Sequence, residues 1–271
     1  PCARLPESRK DKLNELHLFA GAGGGILGGM LLGHTTVCAV EIEPYPRSVL
    51  LHRQRDGILP HFPIWDDVTT FDGKPWRGIA DVVCGGFPCQ DISSSNLKAV
   101  GITGARSGLW VHMARIIGEV RPQYAFVENS PLLVGRGLAV VLGDLAMLGY
   151  DARWCIVGAH NAGAPHKRDR IWILANSKRD NGAWAENMES GKATAFIASG
   201  QQSIPYPEGV EALRRQWDAE PDVGRVADGV ASRLDRLRAI GNGQVPSVAA
   251  IAWRILSSHT QDVVEMENTS N

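Results

Sequence analysis

The chain has 271 residues, 44% of them hydrophobic and 21% charged, the composition of an ordinary folded domain and not of a disordered, collagen-like or coiled-coil chain. At about 150 residues per domain it is expected to form one large domain with or without a smaller lobe, enough to bury a sizeable core. Its 28 Lys+Arg against 29 Asp+Glu leave a formal net charge of -1, so any surface for a polyanion has to be local.

In chain order, short apolar runs alternate with longer amphipathic ones, the pattern of an α/β domain. Strands are expected at Glu15–Phe19, Thr36–Val40, Asp81–Cys84, Gln123–Val127, Ala152–Val157 and Arg170–Ala175, and helices at Pro46–Gln54, Leu109–Val120 and Gly137–Leu148. After Asn176 the composition turns polar, with Pro205, Pro207 and Pro221 and no sustained period, which reads as a small lobe or long insertion. Periodicity returns at Arg233–Ile240, and Val245–Leu256 reads as an apolar helix with Pro246 in its first turn, packed back on the large domain. The expected division is 1–175 as the first part of the main domain, 176–230 as the lobe and 231–271 as a return segment with the last helix. Ser257–Asn271 is acidic and expected to fray.

Cys2, Cys38, Cys84, Cys89 and Cys155 form an odd set without CxxC spacing, which argues against a disulfide framework or a cysteine zinc site and for a reducing cytoplasm. His160 and His166 have no second ligand pair at a usual spacing, so no metal is expected. Leu16–Val40 is uncharged and long enough to span a bilayer, but its glycines and two histidines oppose a membrane helix. The opening through Asn14 lacks the apolar core and cleavage site of a signal peptide, and Pro1 is read as a start left by processing or cloning.

Four constellations can carry chemistry. Leu16–Gly25 (LHLFAGAGGG) is a strand running into a glycine-rich turn that opens a helix, so a ligand can approach the backbone and meet helix N-terminal amides. Gly23, Gly25 and Gly28 satisfy GxGxxG, and Glu41 and Glu43 follow about 20 residues on, where an acid can bind ribose hydroxyls; NAD, FAD and S-adenosylmethionine all fit. Asp81–Gln90 (DVVCGGFPCQ) ends a strand and delivers Cys89 behind Pro88. Chance alone gives about 0.3 Pro-Cys pairs in such a chain, but a cysteine at the C-terminal end of a strand in an open α/β sheet is placed as a nucleophile should be. Cys38 and Cys84, within apolar strands, read as core. Glu128 follows a strand at the same expected edge. Arg168 and Arg170 alternate into a strand, where two same-side guanidiniums can hold a phosphate or a base oxygen.

These motifs, in this order, resemble the DNA (cytosine-5) methyltransferase family: Phe-x-Gly-x-Gly-Gly at Phe19–Gly24, Glu41, Asp67, Pro88-Cys89-Gln90, Arg106–Leu109, Glu128-Asn129, Arg168-x-Arg170, and Arg236-x-x-x-Ile240-Gly241-Asn242 before Pro246. The chain departs from the family where His17 replaces an acid, Ser130 a valine and His166 a glutamine. The resemblance implies a Rossmann-like S-adenosylmethionine-dependent methyltransferase fold with a small target-recognition lobe. It also implies a monomer that acts in the cytoplasm on double-stranded DNA, methylating cytosine C5 sequence-specifically. In that reading Cys89, between Pro88 and Gln90, attacks C6 of a flipped-out base. Glu128 handles the N3 proton, Arg170 neutralises charge at O2, and Arg168 steadies the thiolate or phosphate. Phe19 stacks on adenine, Glu41 holds ribose and Asp67 reads the adenine amine. Ala20, Gly21, Gly23, Gly24, Ile42, Val68, Leu109, Asn242 and Gly243 complete the cofactor cleft. Asp91–Gly108 would close over the site, and Trp184, Arg214, Arg215, Trp217 and Arg225 of the lobe are candidates to touch DNA. A tRNA cytosine-5 methyltransferase, a catalytically silent DNA-binding homologue and an NAD-dependent oxidoreductase stand as alternatives.

Overall fold

The β-branched and apolar residues of β1 (Asn14–Leu18), β2 (Thr35–Val40), β4 (Val82–Gly86) and β5 (Tyr124–Asn129) are buried on both faces, the signature of parallel strands covered by helices. The computed structural model describes residues 12–88, 108–177, 235, 241 and 243–258. With β3 (Ile64–Trp65), β6 (Tyr150–Val157) and β7 (Arg170–Ser177) these strands form a seven-stranded sheet in the order β3-β2-β1-β4-β5-β7-β6. The first five run parallel; β7 pairs antiparallel with both β5 and β6. The order reverses between β1 and β4, and open α/β sheets take their ligands outside the carboxyl edge at such a point.

Helices cover both faces. On one, α3 (Leu109–Val120) and α5 (Leu138–Met147) press Met113, Ile116, Ile117, Val141 and Leu145 against Leu16, Leu18, Val83, Ala125 and Val127. The indole of Trp110 donates to Asp144 at 2.9 Å, tying α3 to α5 inside this layer. On the other lie α1 (Gly24–Leu31), α2 (Pro44–Arg55) and the last helix α6 (Pro246–Ser258), whose Val248, Ile251 and Trp253 meet Val82, Phe126 and Trp172. A short α4 (Leu133–Arg136) precedes α5.

Expected and observed elements differ in a few places. The two-residue β3 is too short to show a period, and α2 starts at Pro44, where a proline at the first turn costs no hydrogen bond. Leu16–Val40 folds as strand, helix and strand, and no helix among the described residues is long and apolar enough to cross a membrane. The lobe from residue 178 to 230, and all but residue 235 of the helix expected at 233–240, lie outside the described residues.

The glycines of α1 set how closely its neighbours approach. A Cβ on Gly28 would stand 2.9 Å from Ala249 Cβ and 3.0 Å from the Pro246 carbonyl oxygen on α6, whereas one on Gly143 of α5 meets nothing within 4 Å. Gly28→Ala is therefore expected to destabilise the fold by about 1–3 kcal/mol through overpacking. Gly143→Ala should stabilise it by roughly 0.5–1 kcal/mol through helix propensity. Chemical denaturation of both variants checks the opposite signs.

Candidate active site

The turn after β1 is built to bring backbone to a ligand. Phe19 (φ 53°), Gly21 (φ 54°) and Gly23 (φ 90°) all take left-handed conformations, so the chain folds sharply back into α1. The first-turn N–H groups of α1 have no intrahelical partner by construction. Arg53 of α2 braces the turn by donating to the Ala22 carbonyl at 2.6 Å, and the Ala20 N–H donates to the Val40 carbonyl at 3.0 Å. Gly24 and Gly25 serve a different neighbour: a Cβ on either would collide with the backbone or the amide of Gln244.

Glu41 closes the end of β2. Its carboxylate accepts the Gly21 N–H at 2.6 Å and the Glu43 N–H at 2.8 Å, so it ties the turn after β1 to the turn after β2. Burial raises its pKa above the ordinary carboxyl value, against the pull of those two amides. Each oxygen keeps a lone pair for a hydroxyl. Ile42 beside it is exposed, whereas Val68 is buried. Asp67, after β3, accepts the Thr69 N–H at 2.8 Å, and the bonds from Thr69 hold its carboxyl below the usual range. Arg115 of α3 pins this segment through the carbonyls of Val68 and Phe71, both at 2.9 Å. Leu109 begins α3 immediately after Gly108 (φ 104°) and packs on the core.

The second half of the site lies across the cleft. Glu128 on β5 pairs in register with Gly86 on β4, so Glu128 and the chain leading to Pro88 leave the sheet at the same carboxyl edge. Glu128 is 8% exposed. Its Oε1 accepts from Arg170 Nε at 2.9 Å and its Oε2 from Gln244 Nε2 at 3.4 Å. Burial pushes its carboxyl pKa up; the charge of Arg170, then the Gln244 bond and the charge of Arg168, pull back without cancelling it. Buried Asn129 donates to the Phe87 carbonyl at 2.9 Å, fixing the backbone just before exposed Pro88. His17, Phe19, Ala20, Gly21, Gly86, Glu128, Gly243 and Gln244 line one common cavity. The fold thus joins the cofactor-type turn, the acid and the return segment in one place. Cys89, Gln90 and Asn242 lie outside the described residues.

Arg168 has a different partner from the one its spacing suggests. It stands before β7 with φ 41° and donates through one terminal nitrogen to the carbonyls of Gly241, at 2.7 Å, and Gly243. Arg170 reaches Glu128, and Arg168 instead pins the return segment. Gln244 carries no signal in single-sequence spacing, and Asn129, legible beside Glu128 as part of a motif, shows its role only in the contact it makes on folding. Beneath the cleft, Glu15 accepts from His17 at 2.9 Å and from His34 at 2.7 Å, all three buried. Burial pushes Glu15 up, but the hydrogen bonds and charge of the two imidazoles outweigh it and hold the pKa at about 2.

Removing the Arg170 charge takes away the largest influence favouring ionised Glu128. Arg170→Gln should move the Glu128 titration to still higher pH, read by carbon NMR of labelled glutamate. A raised folded pKa means the folded state binds the proton more tightly. Native stability relative to Glu128→Gln should therefore fall as pH climbs from the ordinary carboxyl range through the raised pKa, which denaturation at several pH values measures.

Comparison with known proteins bears on the family and the fold. Residues 13–222 match the family model described as C-5 cytosine-specific DNA methylase. The chain is 33% identical over 220 residues to the type II methyltransferase M2.BsuMI of Bacillus subtilis, covering 76% of this chain and 54% of that protein. It is 32% identical over 183 residues to M1.ScrFI of Lactococcus lactis, covering 64% and 44%. The chain thus spans about half the length of the curated relatives it matches. The solved Entamoeba histolytica methyltransferase EhMeth shares the fold, with a TM-score of 0.60 at 14% identity over 93% of this chain and 100% of that one. With a family model matched along most of its length and a Rossmann-like methyltransferase sheet beneath the matched motifs, the chain belongs to the C-5 cytosine-specific DNA methylase family.

Proposed function

We propose that the chain transfers the methyl group of S-adenosylmethionine to C5 of a cytosine flipped out of double-stranded DNA, at a specific sequence, through a covalent bond between Cys89 and C6. The observation that carries this reading is buried Glu128 in the wall of the cleft that opens from the turn after β1, paired with Arg170. A buried carboxyl whose hold on its proton is strengthened by burial, with a guanidinium beside it, suits a pyrimidine face carrying a ring nitrogen and a carbonyl oxygen.

The residues of the cleft fit the cofactor. Glu41 presents a fixed, buried carboxylate for ribose hydroxyls, Phe19 offers a ring for adenine, and Asp67 offers a carboxylate for its amine. When bound, S-adenosylmethionine supplies an electrophilic methyl group on sulfur. C5 of cytosine is too poor a nucleophile to accept it unaided. The Cys89 thiolate forms a bond to C6, which displaces the C5–C6 π pair toward C5, and the proton that Glu128 holds at N3 stabilises the electron-rich ring so formed. Arg170 offsets negative charge at O2. C5 gains the methyl group; its proton then leaves to a base, the C6–sulfur bond breaks, and the thiolate and the aromatic ring are restored. Asn129 holds the Phe87 carbonyl, so the backbone that enters Pro88-Cys89 is fixed before the base arrives.

The proposed location is the cytoplasm of a bacterium or a phage-infected host. The chain is proposed to act there as a monomer, with target reading assigned to 176–230.

Labelled S-adenosylmethionine incubated with unmethylated DNA of diverse sequence should leave 5-methylcytosine at one short motif on base-resolution sequencing. Label in a parallel tRNA tube alone would transfer the activity to RNA, and label in neither would make the chain a silent homologue. Cys89→Ser should abolish transfer while keeping cofactor binding, and Glu128→Gln should cut the rate by about 10²–10⁴-fold. S-adenosylhomocysteine, and not NADH, should raise the thermal unfolding midpoint of the native chain and of Cys89→Ser alike; protection by NADH would favour an oxidoreductase.

A further inference from the structure

Behind the cofactor-type turn, on the face covered by α1 and α6, three side chains of metal-ligand type converge. Glu15 and His17 stand two residues apart on β1 and so share a face, and Cys84 on β4 is the direct cross-strand partner of His17. One ligand atom from each lies within 4.8 Å of the other two, and all three residues are at most 5% exposed. Beside them is a cavity of about 10 Å³, lined by these side chains and by Gly25, Gly28 and Gly29 of α1, room for a single small occupant.

We propose that this cavity is a binding site for one divalent transition-metal ion of the zinc type, held by His17 Nε2, a Glu15 carboxylate oxygen and Cys84 Sγ. Imidazole nitrogen, carboxylate oxygen and thiolate sulfur are the three donor types zinc takes, whereas magnesium and calcium select oxygen alone. The charges also close: on binding, the thiol proton of Cys84 leaves to solvent, and carboxylate and thiolate then neutralise the two positive charges of the ion. A neutral site is what a buried position demands. The proton on His17 Nε2 also leaves to solvent, and the ring ligates in its neutral form with a proton on Nδ1, giving up its hydrogen bond from Nε2 to Glu15.

Little movement is needed between His17 and Glu15. His17 Nε2 and Glu15 Oε2 are 2.9 Å apart, and two donors about 2.05 Å from one tetrahedral ion stand about 3.3 Å apart. His34 donates from Nδ1 to the other Glu15 oxygen at 2.7 Å, the outer hydrogen bond that orients a ligating carboxylate. The space exists because α1 has glycine over it: a Cβ on Gly29 would fall 1.9 Å from Glu15 Oε2. The ion would pin β1 to β4 directly under the turn at Phe19–Gly23.

The test uses the full chain purified without chelator. Elemental analysis should find about one equivalent of zinc, and the cobalt-exchanged protein should show a sulfur-to-cobalt charge-transfer band in the near ultraviolet. Cys84→Ala, which keeps a small apolar side chain and whose fold circular dichroism verifies, should lose both the band and the zinc. Cys89→Ser should keep both. Zinc below about a tenth of an equivalent in a chain that also gives no cobalt band would overturn the proposal. So would a band that survives Cys84→Ala or disappears only in Cys89→Ser.

Discussion

The close approach of Gln244 to Gly24 and Gly25 is the contact on which the rest of the site depends. Residues more than 200 positions apart in the chain meet so tightly that a Cβ on Gly24 would fall 2.0 Å from the Gln244 carbonyl oxygen. That approach seats the return segment over the start of α1, and the Gln244 amide then reaches Glu128. Arg168 secures the same segment from the far side through the Gly241 and Gly243 carbonyls. Cofactor-type turn, buried acid and last helix are therefore one mechanical unit, although each comes from a different stretch of sequence.

The glycines of α1 divide their labour accordingly. Gly24 and Gly25 admit Gln244, Gly28 admits α6, and Gly29 lies over Glu15. A glycine-rich turn invites the reading that every glycine faces a ligand. Here Gly21 and Gly23 answer a backbone demand, a positive φ in the turn, while the next four clear space for protein. This use carries a cost in helix propensity of about 1 kcal/mol per glycine, offset by the packing of α6 against Val82, Phe126 and Trp172.

The strands and the larger helices were legible because burial imposes period on sequence: α3 is observed over the residues its apolar spacing predicts, Leu109–Val120. The acids at the strand ends were legible because they follow apolar runs, and Arg170 because it opens one, the antiparallel course of β7 bringing it to the same sheet edge. What escaped was either too short to have a period, as β3, or defined by a partner distant in sequence. Asn129 could be read as part of a motif, but its bond to the Phe87 carbonyl exists only once β4 and β5 pair. The alternation of Arg168 and Arg170 suggested a shared face, yet the left-handed backbone at Arg168 breaks that alternation before the strand begins.

Cys84 and His17 make the same point about chemistry. Alone in an apolar strand, a cysteine reads as a small hydrophobe, and one strand of this sheet shows nothing to the contrary. In parallel register, Cys84 falls opposite His17 and beside Glu15, on a face where strands covered by helices are ordinarily apolar throughout. Burying an ionised carboxylate with two imidazoles under a glycine-lined helix costs several kcal/mol of desolvation, recovered only through well-made partners. A protein that needed only a filled core would place a leucine or valine there with less expense. The polar cluster instead sits one residue pair below the turn from which the cleft opens, so whatever fixes its geometry also fixes the base of that turn.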